Sequence, residues 1–265
     1  MADFFVIENA MREARKGKKV VLATIVKAAG STPRREGTMM AVLEDGRIYG
    51  TIGGGELERE IIKLSMNYIA KEKSGLVNLK LEENSLKMTC GGEVDVFLDI
   101  CRIKPKLLIV GGGHVGHAIY KAASILDFHI VIFEDREEFL NKKRFPKAQE
   151  LILGEFEESL KNYPVDNSTY IVIVTRGHEF DEEALEAVIN SKAKYIGVMG
   201  SRKKVSKMIL NLEEKGIDKN KLKKVYMPIG LAIGGETPEE IAISILSEIL
   251  LIKNNGRCNH MSNNI

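Results

Sequence analysis

The spacing of apolar positions along the chain predicts a first block that mixes helices and strands. Residues 3–16 repeat apolar side chains at helical intervals, and the β-rich run 20–26 follows them. Segment 38–50 carries Asp-Gly between two apolar runs, which is typical of a β-hairpin. A glycine-led helix then reaches about Glu72, and two further strands follow before residue 102. This pattern favours a mixed α+β fold.

The pattern changes at Pro105, after which short apolar runs alternate with helical stretches. Such alternation is typical of a doubly wound parallel sheet. The last helix has a strong start, because Thr237 can cap it, Pro238 suits its first position and Glu240 completes a capping box. The predicted strands of this second block are 106–110, 129–133, 149–152, 169–174 and 194–199.

We therefore expect an α/β protein with two domains. Residues 1–103 form an N-terminal mixed α+β domain, and residues 104–253 form a Rossmann-like doubly wound parallel-sheet domain. The polar residues 254–265 are expected to be a flexible C-terminal tail.

Composition narrows the class of protein. A formal charge of +2 with 6% aromatic residues argues against nucleic-acid binding, which needs a strong positive field or stacking platforms. No apolar run reaches the roughly 18 residues of a membrane helix, and the N-terminus lacks a basic signal-peptide region, so we expect a cytoplasmic protein that binds no membrane. Three cysteines without a C-x-x-C pair indicate neither a disulfide framework nor a structural zinc site.

The stretch 106–135 contains the most informative motif, an apolar strand followed by G-x-G-x-x-G, a helix and a second strand that ends in an acid. Gly111 permits the tight turn, Gly113 lets a phosphate approach the backbone, and Gly116 lets the helix lie close to the strand. Glu134 falls about 20 residues on, where a ribose hydroxyl would be bound. His114, at the start of the helix, is a candidate neighbour of a phosphate.

Two further segments suit an anion. The sequence G-S-R-K-K at 200–204 opens a helix, so Ser201, Arg202 and the two lysines would place donors and positive charge at its N-terminus; a solvated basic turn is the alternative. Arg34 and Arg35 lie in a glycine-bounded loop and suit bidentate oxyanion recognition. The turn formed by Gly53, Gly54 and Gly55 is a candidate neighbour of that loop.

Two more positions are candidates for chemistry. Cys90 stands in M-T-C-G-G, where two glycines would leave its thiol accessible to a ligand or metal, although a small buried residue has the same pattern. Arg176 and His178 follow a buried strand at its carboxyl end, the edge at which doubly wound sheets bind ligands. Asp181 lies just beyond them, either beside that ligand or as a helix cap.

Taken in order, these segments resemble the xanthine dehydrogenase accessory protein family of the XdhC/CoxI type, which serves molybdenum hydroxylases. The resemblance covers most of the chain. It departs from the family pattern in G-L-A-I-G, where Ala232 replaces an expected acid. The segments that carry it are 30–37, 52–58, 90–92, 111–116, 175–181, 200–204 and 228–242.

The resemblance implies an accessory factor rather than an enzyme. It would bind molybdenum cofactor (molybdopterin), protect it, assist its sulfuration by a cysteine desulfurase and deliver it to an apo molybdenum hydroxylase such as xanthine dehydrogenase. Cys90 would be the thiolate nearest the molybdenum, Arg34 and Arg35 would contact an oxyanion, and the glycines at 111–116 would hold a phosphate or nucleotide. A protein that docks on two partners is expected to be a homodimer.

Two other functions fit the Rossmann-like half. One is an NAD(P)-dependent oxidoreductase with His178 or Cys90 near its substrate, although no acid, base and substrate-positioning set accompanies the glycines. The other is a module that senses NAD, ATP or another nucleotide. A hydride-transfer assay separates the first from a chaperone, and saturable nucleotide binding identifies the second.

Overall fold

The computed structural model describes residues 3–81, 92–101, 104–260 and 262. It contains two compact units, Met1–Ile103 and Lys104–Ile265. No helix within the described ranges is long and apolar enough to cross a membrane.

The N-terminal unit is built on an antiparallel five-stranded sheet in the order β3-β2-β1-β5-β4. The predicted helix, hairpin and glycine-led helix are all confirmed. Its described elements are α1 (Phe4–Arg15), β1 (Val20–Ala29), β2 (Met39–Leu43), β3 (Ile48–Gly50), α2 (Gly55–Lys71), β4 (Gly75–Lys80) and β5 (Glu93–Ile100).

Alternation along β1 gives this sheet two apolar faces. Val21 and Ile25 pack with Leu57 of α2 in one buried cluster. Val20, on the opposite face, packs with Val6 of α1 in a second cluster. Since successive strand residues point to opposite sides, one helix covers each face.

The C-terminal unit has a parallel five-stranded sheet in the order β10-β9-β6-β7-β8. The predicted Rossmann-like, doubly wound α/β class is confirmed, and β6 and β9 flank the point where the strand order reverses. Its described elements are β6 (Lys106–Val110), α3 (His114–Ala123), β7 (His129–Glu134), a 3-10 turn (Glu137–Phe139), β8 (Glu150–Leu153), α4 (Phe156–Asn162), β9 (Thr169–Ile173), α5 (His178–Val188), β10 (Tyr195–Val198), α6 (Arg202–Glu214), α7 (Lys219–Leu222) and α8 (Pro238–Lys253).

Helices cover both faces of the parallel sheet. Leu107 and Ile109 pack in the core shared with α3 and α8, whereas Leu108 and Val110 pack in the core shared with α4, α5 and α6. Because helices bury both faces of the sheet, the side chains on both sides of each strand are apolar, and the strands form continuous apolar runs in the sequence. The predicted capping box at Thr237 and Glu240 is confirmed at the start of α8.

Candidate functional site

A cleft of about 290 Å³ lies at the carboxyl edge of the parallel sheet. It is bordered by the turn after β6, the end of β7, the loop after β9 and the first residue after β10, so it lies at the reversal of strand order where such sheets bind ligands. Five residues predicted from the sequence line it: Gly111, Gly113, His114, Glu134 and Arg176.

The three fingerprint glycines differ in what requires them. Gly111 has φ +111°, and a Cβ there would lie 2.5 Å from the Val174 carbonyl oxygen. A Cβ on Gly116 would lie 1.9 Å from the Gly111 carbonyl oxygen, so α3 can approach the turn only with glycine there. A Cβ on Gly113 would meet nothing within 4 Å. Gly113 therefore borders open space.

The N-terminus of α3 opens onto this cleft. Gly113 is its N-cap and provides no side-chain cap, and His114 and Val115 of its first turn line the cleft. Uncapped amides at a helix N-terminus attract anions such as phosphate.

Glu134 lies at the end of β7 with a side chain only 1% exposed. Its carboxylate accepts hydrogen bonds from the Gly112 amide at 2.7 Å and from Arg136 Nε at 2.8 Å. Burial alone would raise the pKa of Glu134, but the interactions with Arg136, Asp135 and Gly112 together outweigh it and lower the pKa. The acid predicted to bind a ribose hydroxyl is thus already bonded within the protein.

Asp135, which the sequence analysis missed, does not line the cleft itself but holds the cleft residue Arg176 in an ion pair. Its side chain is 8% exposed, and its Oδ2 lies 2.7 Å from Arg176 Nη2. Its Oδ1 has no hydrogen bond among the described residues but lies 3.6 Å from Arg136 Nε. Burial and the adjacent carboxylate of Glu134 raise the pKa of Asp135 despite Arg176. The signal in the sequence was the acid pair followed by arginine directly after a predicted strand.

Arg136 and Arg176 extend along aromatic rings at this cleft. The Arg136 guanidinium carbon lies 3.9 Å from the Phe139 ring centroid, and that of Arg176 lies 4.6 Å from the Phe180 centroid. Stacking and ion pairing together fix both guanidinium groups.

Asp181 holds the loop after β9 in place through hydrogen bonds with Thr175. Its buried carboxylate accepts hydrogen bonds from the Thr175 amide at 3.1 Å and hydroxyl at 2.5 Å, and it pairs with Lys204 Nζ at 2.7 Å. Burial raises the pKa of Asp181, and the bonds from Lys204 and Thr175 oppose that shift. The alternative role as a helix cap is wrong, because Gly177 is the N-cap of α5.

The remaining candidates of the C-terminal unit, His178, Ser201 and Arg202, lie at the starts of two different helices. His178 is the first residue of α5. Ser201 caps α6 by accepting a hydrogen bond from the Lys204 amide at 3.2 Å. Arg202 is the exposed first residue of α6, and neither Ser201 nor Arg202 lines the cleft.

The N-terminal unit brings the arginine loop next to the glycine turn. Gly53, at φ +134°, packs so closely that a Cβ would lie 2.7 Å from Pro33 Cγ and 3.6 Å from Arg34 Cγ. Gly54 is the N-cap of α2 and provides no side-chain cap, and both it and Gly55 border open space.

Arg34 and Arg35 contribute backbone carbonyls to this loop and keep their side chains exposed. The Arg34 carbonyl accepts from the Thr32 hydroxyl at 3.0 Å, and the Arg35 carbonyl accepts from the Thr38 hydroxyl at 2.7 Å. Within the described ranges, neither guanidinium group has a hydrogen bond or ion pair. Both are available to an oxyanion.

A third segment reaches the same loop. Gly92 packs against it so tightly that a Cβ would lie 2.3 Å from the Ser31 carbonyl oxygen. Cys90, the predicted thiolate, lies outside the described residues.

Other candidate metal ligands are scattered. Among the described residues, no group of three or more His, Cys, Asp or Glu side chains is arranged to hold a metal ion. Burial raises the pKa of the Cys101 thiol, and Cys258 is exposed. His117 packs between Tyr120 and Phe145, at centroid distances of 6.1 and 5.4 Å.

The protein thus consists of an α+β unit followed by a Rossmann-like unit. In the Rossmann-like unit, the cleft at the carboxyl edge of the sheet contains Glu134 and Arg176, each held in an ion pair. Comparison with known families identifies that combination. Residues 107–249 match the family description "XdhC Rossmann domain", and residues 13–80 match "XdhC and CoxI family". The chain belongs to the XdhC and CoxI family, and the resemblance found in its sequence is confirmed.

Three curated relatives are similar to this chain. An uncharacterized protein, YqeB of Escherichia coli (strain K12), is 36% identical over 89% of this chain and 44% of its own length. A protein of Bacillus subtilis (strain 168), named as a probable xanthine dehydrogenase subunit, is 26% identical over 59% of this chain and 45% of its own. The molybdenum cofactor insertion chaperone PaoD of Escherichia coli (strain K12) is 21% identical over 94% of this chain and 88% of its own.

The chain thus spans less than half the length of the first two relatives. A crystal structure described as a xanthine dehydrogenase from Bacillus halodurans has the same fold, with a TM-score of 0.54 at 21% identity over 97% of both chains.

Proposed function

We propose that this protein binds molybdenum cofactor, protects it, assists its sulfuration by a cysteine desulfurase and delivers it to an apo molybdenum hydroxylase. PaoD, named as a molybdenum cofactor insertion chaperone, supports this assignment because its match spans most of both chains. The name of the Bacillus subtilis relative supports xanthine dehydrogenase as the kind of hydroxylase served. The working unit in this proposal is a homodimer.

The observation that carries the proposal is the meeting of three segments in the N-terminal unit. The loop with Arg34 and Arg35 lies against Gly53 of the glycine turn, and Gly92 lies against Ser31 of the same loop. Gly92 follows Cys90 by two positions in the sequence. Strand pairing places Gly92 beside this loop, because Ala29 of β1 pairs with Glu93 of β5. Loops held by a rigid sheet in this way commonly carry binding residues.

The chemistry of these groups fits the anionic end of the cofactor. Unpaired guanidinium groups bind oxyanions bidentately, and the uncapped N-terminus of α2 offers backbone amides. When bound, the cofactor supplies the molybdenum centre on which a hydroxylase depends. The chain supplies the cradle, and the thiolate of Cys90 is its proposed ligand because soft thiolates suit such metals.

The cleft of the Rossmann-like unit supports a second candidate function, the binding of NAD(P) or another nucleotide. Gly111, Gly113 and His114 would hold its phosphate at the uncapped N-terminus of α3, and Arg176 lines the same cleft. Glu134 is a poor ribose ligand because its carboxylate already accepts bonds from Gly112 and Arg136. We therefore favour phosphate recognition without hydride transfer.

Anaerobic gel filtration tests the chaperone proposal directly. The protein is incubated with molybdenum cofactor released from a hydroxylase, and pterin and molybdenum are measured in the protein peak. We expect co-elution with the wild type and its loss in Cys90→Ala. Cys258→Ala removes an exposed thiol elsewhere and is the matched control, which should retain the cofactor.

Two further measurements separate the alternatives. Arg34→Gln combined with Arg35→Gln should weaken pterin retention, since both guanidinium groups are free to bind an anion. A hydride-transfer assay with NAD(P)H and a panel of small substrates should show no turnover. Turnover together with absent co-elution would replace the chaperone with an oxidoreductase.

A further inference from the structure

A second cavity in the C-terminal unit lies away from the cleft at the sheet edge. It has a volume of about 470 Å³ and opens between α3 and the turn 141–147. We call it the basic pocket and define it by six of its lining residues: His117, Tyr120, Lys121, Lys143, Arg144 and Lys147.

Specific bonds hold the shape of the basic pocket. The Tyr120 hydroxyl accepts a hydrogen bond from the Lys147 amide at 2.7 Å, and His117 Nε2 lies 3.1 Å from the Arg144 carbonyl oxygen. The rings of His117 and Tyr120 stack at 6.1 Å with an interplanar angle of 13°. The turn is therefore fastened to the helix, and the cavity has a flat aromatic wall.

The charges of the pocket are unbalanced. None of the ammonium groups of Lys121, Lys143 and Lys147 has a hydrogen bond or ion pair with any residue that the structure describes, and no carboxylate lines the cavity. Elsewhere in this unit lysines meet acids, as Lys204 meets Asp181 and Lys161 meets Glu157. Like charges gathered in a concave site favour an anionic occupant.

The pKa of His117 is lowered mainly by burial, and the neighbouring cations contribute to the same shift. The bond of His117 with the Arg144 carbonyl opposes the lowering of its pKa, whereas the charges of Lys121 and Arg144 add to it.

We propose that the basic pocket binds a small anion with two or more phosphate groups. Its volume lies in the range of small-molecule sites, about 300–1,000 Å³. Cations from α3 and from the turn converge on it from two sides, which matches a compact polyanion better than an extended surface. The arginine loop and the turn 53–55 of the N-terminal unit contribute no residue to this pocket, and neither does the turn 111–113 after β6.

Arg144 connects the basic pocket to the turn 111–113 after β6. Its Nη2 donates a hydrogen bond to the Gly112 carbonyl oxygen at 2.9 Å, although the residue also lines the pocket. A polyanion that engages this guanidinium competes with Gly112. Occupancy of the pocket therefore alters the support of the turn at the sheet-edge cleft.

Isothermal titration calorimetry with inorganic pyrophosphate tests the proposal on the full chain. We expect saturable binding to the wild type and about tenfold weaker binding to Lys143→Gln combined with Lys147→Gln, because two charge contacts from exposed lysines are lost. Lys192→Gln combined with Lys223→Gln removes the same charge from exposed positions outside the pocket and should bind like the wild type. Added salt should weaken binding, since exposed charges are screened.

Several results would overturn the proposal. These are no binding to the wild type, equal binding to the Lys143 and Lys147 variant, or an equal loss in both double variants. Equal binding of pyrophosphate to the wild type and to the Lys143 and Lys147 variant would indicate that the anion binds elsewhere, such as at the turn 111–113. Titration with ADP identifies the source of the phosphate, since ADP that binds more tightly than pyrophosphate indicates a nucleotide and equal affinity indicates phosphate recognition alone.

Discussion

The carboxylate of Glu134 accepts a hydrogen bond from the backbone amide of Gly112 at 2.7 Å, which ties the end of β7 to the glycine turn after β6. The same carboxylate also binds Arg136, whose guanidinium stacks on Phe139. An acid in this position of a Rossmann-like sheet commonly binds a ribose. In this chain the acid instead organises the turn, so its removal should change stability before it changes ligand affinity.

Glu134→Ala should destabilise the C-terminal unit strongly. The change leaves the Gly112 amide and the Arg136 guanidinium without their acceptor, a loss of about 3 kcal/mol or more for a buried charged partner. In a unit of this size the melting temperature should fall by on the order of 10 °C, as measured by circular dichroism. Glu158→Ala, at an exposed position of α4, should have little effect. Equal melting temperatures for wild type and Glu134→Ala would contradict the anchoring role.

The paired variants Gly116→Ala and Gly113→Ala should differ in their cost to the stability of the C-terminal unit. A Cβ on residue 116 collides with the Gly111 carbonyl, and such overpacking should cost about 3 kcal/mol in urea unfolding. A Cβ on residue 113 enters open space and should cost less than about 1 kcal/mol, the loss at an N-cap. Comparable destabilisation by both variants would show that the turn is not built as described.

Local sequence patterns predicted most of this fold because its elements depend on short-range rules. The apolar strand 106–110, the fingerprint glycines and the capping box at Thr237 each have a physical cause within a few residues. The sequence also suggests that the arginine loop lies beside the turn 53–55, and Gly53 does pack on Pro33.

Long-range charge pairing could not be predicted in the same way. The position of Lys204 after Ser201 and Arg202 at a helix start predicts that it belongs to an anion site. In the structure it pairs with Asp181, 23 positions earlier in the chain. Likewise Arg176 meets Asp135 across 41 positions. Hydrophobic periodicity carries no information about which distant charges will face each other.

Lys204→Gln should reveal the buried ion pair with Asp181. Without the ammonium group the carboxylate is buried without a countercharge, which should cost about 3 kcal/mol. Burial already raises the pKa of Asp181, and losing Lys204 should raise it more, so the variant loses stability as pH rises through that pKa. The deficit in unfolding free energy should therefore be larger at neutral than at acidic pH. Lys203→Gln, next to it but exposed, is the matched control, and a pH-independent deficit would count against the pairing.

Asp135→Asn should change how stability depends on pH. Burial and the neighbouring Glu134 carboxylate raise the pKa of Asp135 above the ordinary value of 3.8, so the folded protein holds this proton more tightly than the unfolded chain. The resulting stabilisation is complete below the unfolded pKa and is lost as pH rises through the folded pKa. Asparagine does not titrate, so the free energy of unfolding of the variant should gain on that of the wild type as pH rises.

Urea unfolding at a series of pH values measures this difference. Part of the gain is offset, because Arg176 loses the charge of Asp135 at 2.7 Å while an amide oxygen can still accept its hydrogen bond. The partial exposure of Arg176 keeps that loss to about 1 kcal/mol or less. Asp127→Asn, at an exposed aspartate paired with Lys104, is the control for the loss of one carboxylate charge. A parallel curve for Asp135→Asn would mean that the pKa of Asp135 is the same in the folded and unfolded states, and it would contradict the upward shift caused by burial and Glu134.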